Sequence, residues 1–198
     1  MDETPWETRY RQGDTPWDKG APHPALLEYI ARHPLAGRVL AVGCGYGYDA
    51  RALAAARSQV TGIDIAPSAI RRAESFAKAG AEDYELADLF ALPAHLKGRF
   101  DWVWEHTCFC AIEPSMRPAY VRGVLEALQP DGHLLAVFYL DPGGEDGPPF
   151  GVSVEELDGL FAEHFALLEE WAPAATYPGR ENRERMRLMK RETNTAFF

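Results

Sequence analysis

The sequence predicts an α/β fold: a three-layer sandwich around a mostly parallel sheet of seven strands, the last antiparallel. Three observations carry this. The apolar run Val39 to Val42 is long enough for a buried strand and too short for a helix. It leads into Gly43-Cys44-Gly45-Tyr46-Gly47, with glycine at alternate positions, and then a breaker-free segment from Ala50 to Arg57. Val60 to Ile65 follows, rich in β-branched residues and carrying Asp64, 21 positions after Gly43. Strand, glycine turn, helix, strand and carboxylate form the βαβ unit that opens a Rossmann-like sheet and takes its ligand at the carboxyl edge.

The other elements follow in chain order. Trp6 and Tyr10 are four apart, so one face of a short helix carries both. Trp17 lies in a Pro/Gly turn. These rings read either as packing at the sheet edge or as a lid, whose aromatic faces attract a cation. A helix over Pro24 to His33 is stopped by Pro34. Residues 1–33 are then a lid and helix, and 34–198 the core of one domain. Pro67 suits the first turn of a helix running through Ala69 to Lys78. Tyr84 to Ala87 is the third strand. Asp88, just after it, either caps a turn or accepts from an adenine amine. Phe100 to Glu105 is the fourth strand, and the loop from His106 through Cys108 and Cys110 lies beside the topological switch point. His106 reads either as a tuned base or as a hydrogen-bonded structural histidine.

Arg117 to Leu128 reads as a helix that ends in the turn Gln129-Pro130-Asp131-Gly132, and His133 to Leu140 as the fifth strand. The loop Asp141 to Gly151 exposes Asp141, Glu145 and Asp146, with Phe150 placed to fold back over a pocket. Ser153 and Glu156 have capping-box spacing for a helix reaching about His164. Phe165 to Glu170 is the sixth strand. Arg183 to Lys190 alternates charged and apolar residues, as expected of an antiparallel edge strand whose charges resist association.

Composition narrows the function classes. A net charge of -10 argues against a nucleic-acid partner, which needs a basic footprint, and favours a small-molecule substrate. Three cysteines, Cys44, Cys108 and Cys110, fit a reducing cytoplasm better than a disulfide framework. The C-x-C pair lacks the other ligands a zinc site needs, so no metal is expected. Met1 to Glu7 is acidic and nothing approaches the ~20 apolar residues of a membrane span. Oligomeric state is not legible.

The glycine spacing selects the cofactor. A dinucleotide fingerprint needs G-x-G-x-x-G, but Tyr48 stands at its third glycine. G-x-G-x-G is the pattern of S-adenosyl-L-methionine-dependent methyltransferases of the Rossmann-like class, in which Asp64 accepts from both ribose hydroxyls. Many of these carry an acid two residues before the first glycine. Here that residue is Ala41, so the methionine amine must be held differently.

Four segments then carry a family resemblance: Thr15-Pro16-Trp17-Asp18-Lys19-Gly20; Gly43-Cys44-Gly45 with Asp49; Phe109-Cys110-Ala111-Ile112-Glu113-Pro114 with Met116-Arg117-Pro118; and Gly147-Pro148-Pro149-Phe150. Nearly the whole chain resembles the thiopurine S-methyltransferase superfamily, and within it the thiol and halide methyltransferases. The lack of an acid at Ala41 is similar to this family too. The resemblance implies cofactor contacts at Trp6, Tyr10, Trp17, Gly43, Asp64, Asp88 with Leu89, and His106, and puts Phe150 near the acceptor pocket; Gly45, Ile65 and Glu105 are further cofactor candidates, and Tyr10 and Cys108 further pocket candidates. Tyr10 stands where a tryptophan is usual, and His106 and Phe150 where tyrosines are usual. It implies methyl transfer to a thiol, bisulfide or halide by in-line displacement, with His106 as the base if one is needed. Rival readings are a metalloid oxyanion or heterocyclic thiol as acceptor, or a non-catalytic cofactor-binding module.

Overall fold

The structure is a computed structural model that describes residues 4–143 and 147–193. Glu145 and Asp146 of the expected exposed loop lie outside the described residues. The helices are α1 (Pro5–Gln12), α2 (Pro24–Arg32), α3 (Tyr48–Ala55), α4 (Pro67–Glu74), α5 (Arg117–Ala127) and α6 (Val154–Phe161). The strands are β1 (Arg38–Val42), β2 (Gln59–Asp64), β3 (Ala81–Leu86), β4 (Phe100–His106), β5 (Leu128–Tyr139), β6 (Phe165–Trp171) and β7 (Glu184–Arg191). They form one sheet in the order β3-β2-β1-β4-β5-β7-β6. The pairings from β3 through β5 are parallel, and β7 is antiparallel to both β5 and β6.

The apolar run of β1 is explained by its place at the centre, buried on both faces. Leu40 and Val42 point into a core built with α5 and α6, including Tyr120, Val124, Leu157 and Phe161. Val39 and Ala41, one residue out of phase, point into the opposite core with Leu26, Ile30 and Leu53 of α2 and α3. Strand order reverses between β1 and β4, so the crevice opens at their carboxyl ends.

Two expectations are corrected. β7 is not an edge strand; it is inserted between β5 and β6, and β6 is the edge. The central charge of the segment that suggested an edge is buried and paired instead. Arg187, 1% exposed, bridges Asp158 at 2.8 Å and Glu170 at 2.6 Å. The expected turn at Gln129–Gly132 is a bulge within β5: Phe100 pairs with Leu128, but Trp102 pairs with His133, and Asp131 takes a φ of 63°. The capping box is half formed. Ser153 Oγ accepts from Glu156 N at 3.1 Å, while the Glu156 carboxylate turns to Arg117 at 2.6 Å.

The amino-terminal helix is tied to the core by one carboxylate. The N-cap of α4 is Ala66, which has no side chain to cap with. Glu7 of α1 supplies the cap: its Oε2 accepts from Ser68 N at 2.8 Å and its Oε1 from Ser68 Oγ at 2.7 Å. Burial pushes the Glu7 carboxyl up, but these bonds and Arg71 outweigh it and hold it below the usual carboxylate range. Its contribution is therefore present above pH ~4.5 and lost as the pH falls through the lowered value. Glu7→Ala is expected to destabilise the protein to urea by about 1–2 kcal/mol at pH 7. The difference from wild type should shrink steadily below pH ~4.5; a difference that stays constant on acidification contradicts this role.

Candidate active site

The glycine turn sits where the crevice opens. Gly43 and Gly45 have φ of 55° and 53°, values that L side chains rarely adopt. A Cβ on Gly43 would lie 2.8 Å from Cys108 Cβ, and one on Gly45 would lie 3.1 Å from Tyr10 Oη. The backbone can therefore run close under whatever fills the crevice.

Beside the turn is a cavity of about 350 Å³. Nine of the expected residues line it: Trp6, Tyr10, Trp17, Gly43, Asp64, Ile65, Asp88, Leu89 and Cys108. The lid is an interlocked aromatic set. Trp17 packs edge-on to Trp6 at 5.3 Å and to Tyr10 at 5.5 Å, and Trp17 Nε1 donates to Tyr10 Oη at 3.1 Å. Helical spacing in α1 places the first two rings on one side, and the Pro16 turn brings the third against them. Asp64, at the end of β2, is 7% exposed. It accepts from Gly45 N at 3.0 Å and Ala66 N at 2.9 Å. Burial drives its carboxyl up to about 6 in spite of these bonds. Asp88 Oδ1 accepts from Phe90 N at 2.8 Å, so the capping reading of that residue holds in this structure.

Four expected residues lie elsewhere. Gly45 and His106 line an adjoining recess of about 60 Å³, not the main cavity. Glu105 lines neither. Strand alternation turns it to the opposite face from His106, where it is fully buried, accepts from Phe109 N at 2.8 Å and takes the Tyr120 hydroxyl. Burial pushes Glu105 up to about 7 despite those bonds. Phe150 also lines neither space; Pro148 and Pro149 wall the cavity in its place, and Phe150 N donates to Cys110 O at 2.7 Å. His106 therefore does not line the main cavity. Its Nδ1 bonds Asp49 Oδ2 at 2.9 Å and its ring packs 4.5 Å from that of His23.

Asp49, Arg180, His23 and Glu184 were given no site role from the sequence. Asp49 stood in a motif without a task; Arg180 and Glu184 have the four-residue step of a paired base and acid, and His23, 161 residues from Glu184, meets them only through long-range packing. Arg180 lines the main cavity. Its Nη1 donates to Glu184 Oε1 at 3.0 Å and its guanidinium lies 4.6 Å over the Tyr139 ring. Glu184 in turn takes His23 Nε2 at 3.1 Å. Burial pushes Glu184 up, but His23 and Arg180 outweigh it and keep it low. The thiols in the wall are neutral: burial pushes Cys110 up to about 12 and Cys108 well above its ordinary value.

The residues present fit an adenosyl group. A buried carboxylate with lone pairs to spare faces a cavity floored by a positive-φ glycine turn and covered by aromatic rings. Comparison with known proteins agrees. The chain is 36% identical over 166 residues to thiocyanate methyltransferase 1 of Brassica oleracea, covering 81% of this chain and 72% of that one. It is 34% identical to probable thiol methyltransferase 2 of Arabidopsis thaliana, covering 77% and 69%. A solved structure described as "Conversion of a Disulfide Bond into a Thioacetal Group during Echinomycin Biosynthesis" superposes with a TM-score of 0.80 at 26% identity, covering 96% of this chain and 92% of that one. Fold, site and relatives together define an S-adenosylmethionine-dependent methyltransferase of the Rossmann-like class. The chain belongs to the thiopurine S-methyltransferase family, whose model matches residues 1–192.

Proposed function

We propose that this enzyme methylates a small, soft, anionic acceptor of the thiol type: a thiolate, thiocyanate, bisulfide or halide. The observation that carries the reading is Arg180, a cation fixed in the wall of the same cavity that Asp64 lines. The names of the thiocyanate and thiol methyltransferase relatives support it.

When bound, S-adenosylmethionine supplies an electrophilic methyl group on a sulfonium. Asp64 would take the ribose hydroxyls, Asp88 and Leu89 would lie along the adenine, and Trp6, Tyr10 and Trp17 would cover the site and exclude water. Arg180 would draw an anion in and hold it; the guanidinium has five donors and its bond to Glu184 uses only Nη1. A free thiol has a pKa of about 8.5, and the field of Arg180 favours its thiolate. No dedicated base is then required. The apolar walls of Ile112, Pro148 and Pro149 would exclude water and so favour a transition state in which opposite charges merge over separated ions. Alignment of the two reactants supplies much of the remaining rate. Further parts of this reading are a single domain, a cytoplasmic setting for the three free thiols, and an acidic chain without nucleic-acid or membrane partners. Among the described residues no helix is long and apolar enough to cross a membrane.

Supplying thiocyanate, iodide, bisulfide and thiophenol, with headspace gas chromatography of the methylated products, tests the assignment. Labelled cofactor bound with none of the four methylated would overturn it. Arg180→Gln is expected to lower kcat/KM for thiocyanate by about 10- to 150-fold, matching ~1.5–3 kcal/mol for a hydrogen bond to a charged group. Affinity for S-adenosylhomocysteine should stay within about twofold; an equal loss in both would place Arg180 in the cofactor site instead.

A further inference from the structure

His106, which lines the recess beside the glycine turn, carries an unanswered hydrogen-bonding atom. The His106 side chain is 10% exposed, and its Nε2 is buried without a partner. The other ring nitrogen is committed. Nδ1 bonds Asp49 Oδ2 at 2.9 Å, an oxygen that also accepts from Trp104 Nε1 at 2.9 Å, while Asp49 Oδ1 accepts from His23 N at 2.7 Å. Burial pushes the Asp49 carboxyl up, but the neighbouring His106 and these bonds outweigh it, so Asp49 is an anion. When the imidazole is neutral, an anion at Nδ1 fixes its one proton there and leaves Nε2 as a lone pair.

The recess is lined by Ala41, Gly43, Gly45, Tyr46, Asp49, Trp104 and His106, and it shares Tyr10, Trp17, Lys19, Gly43 and Thr107 with the main cavity. A ligand lying along the glycine turn in the large cavity can thus extend one end into the small one. The position two residues before the first glycine, Ala41, lines this recess and brings no charge to it. A negative charge is nonetheless present, one imidazole away on Asp49. The imidazole between them polarises Nε2 into a strong acceptor.

We propose that the Asp49–His106 pair is the receptor for the α-ammonium of the cofactor's amino-acid tail, with His106 Nε2 accepting from it inside the recess. The pair thus does the work of the carboxylate absent at position 41. This rests on the adenosyl group lying in the main cavity and goes beyond it by naming the atom that holds the tail.

Calorimetric titration of three ligands tests this: S-adenosylhomocysteine, its analogue lacking the α-amino group, and 5′-methylthioadenosine, which has no amino-acid tail. His106→Phe keeps the ring and removes the acceptor. It should weaken S-adenosylhomocysteine at least tenfold and leave the other two within about twofold. Asp49→Asn should do the same by another route, because a neutral amide removes the charge that polarises Nε2 and no longer fixes the ring proton on Nδ1. Retained 5′-methylthioadenosine binding shows that each variant still folds around the site. Equal losses for all three ligands would reduce His106 to a structural part and overturn the proposal. So would unchanged S-adenosylhomocysteine affinity, or an equal loss with the deaminated analogue, which would point to the carboxylate. If the wild type binds none of them, the placement of the adenosyl group fails and this inference fails with it. Binding of all three with no dependence on His106 overturns the inference alone.

Discussion

Asp64→Ala is expected to weaken S-adenosylhomocysteine binding by about 10² to 10⁴-fold, the equivalent of two hydrogen bonds to a charged acceptor at ~1.5–3 kcal/mol each. The carboxylate is well placed for so large an effect because the backbone already orients it. Gly45 N and Ala66 N hold its two oxygens, at 3.0 and 2.9 Å, and both bonds come from rigid points next to β1 and β2. Burial has raised this carboxyl to about 6. Binding should therefore weaken as the pH falls through 6, when the acceptor takes up a proton, and Asp64→Asn should bind weakly with no such inflection. Calorimetry between pH 5 and 8 reads both. Affinity unchanged in Asp64→Ala would remove the sugar contact from the scheme.

Glu105→Gln is expected to stabilise the cofactor-free protein by up to about 3 kcal/mol at pH 8 and to change it little near pH 5. Glu105 is fully buried and its carboxyl is raised from 4.5 to about 7. A folded state that holds a proton more tightly than the unfolded one loses stability as the pH climbs between those values, at ~1.4 kcal/mol for each unit of separation. Asp64 adds a decline of the same sign between 3.8 and about 6. The glutamine amide can accept from Phe109 N and donate to the Tyr120 oxygen, so the neutral side chain keeps the contacts without the buried charge. Glu105→Ala has the opposite effect, stranding both partners at a cost of about 3 kcal/mol or more. Urea titrations across this range would show the wild type and Glu105→Gln converging on acidification; parallel curves would contradict the assignment.

What could be read in the chain follows from how local each signal is. The turn from Val42 to Gly47 and the carboxylate of Asp64 were legible because strand period, glycine and spacing all act within one βαβ unit. The lid rings Trp6 and Tyr10 were legible from a four-residue step. The face of Glu105 could have been had from parity: it is one residue out of phase with Trp104 and His106, so it cannot share their side of β4. Charge misled at β7, where Arg187 resembled an edge guard because its partners Asp158 and Glu170 are remote in sequence. The four-residue step from Arg180 to Glu184 was a legible pairing signal, whereas His23 gave none, since it meets Glu184 across 161 residues. Phe150 was placed by analogy, whereas the chain turns its neighbouring prolines to the cavity.

The insertion of β7 between β5 and β6 has a consequence for how the chain is made. A ribosome delivers β6 before its strand neighbour β7 exists, so that segment must wait, its backbone unpaired, until β7 emerges and joins both β5 and β6 at once. Arg180 and Glu184 come out in the same late stretch. On the proposed reading, the nascent chain would hold Asp64, its sugar contact, well before Arg180, its anion contact, and the cavity they share would close only when the sheet is finished.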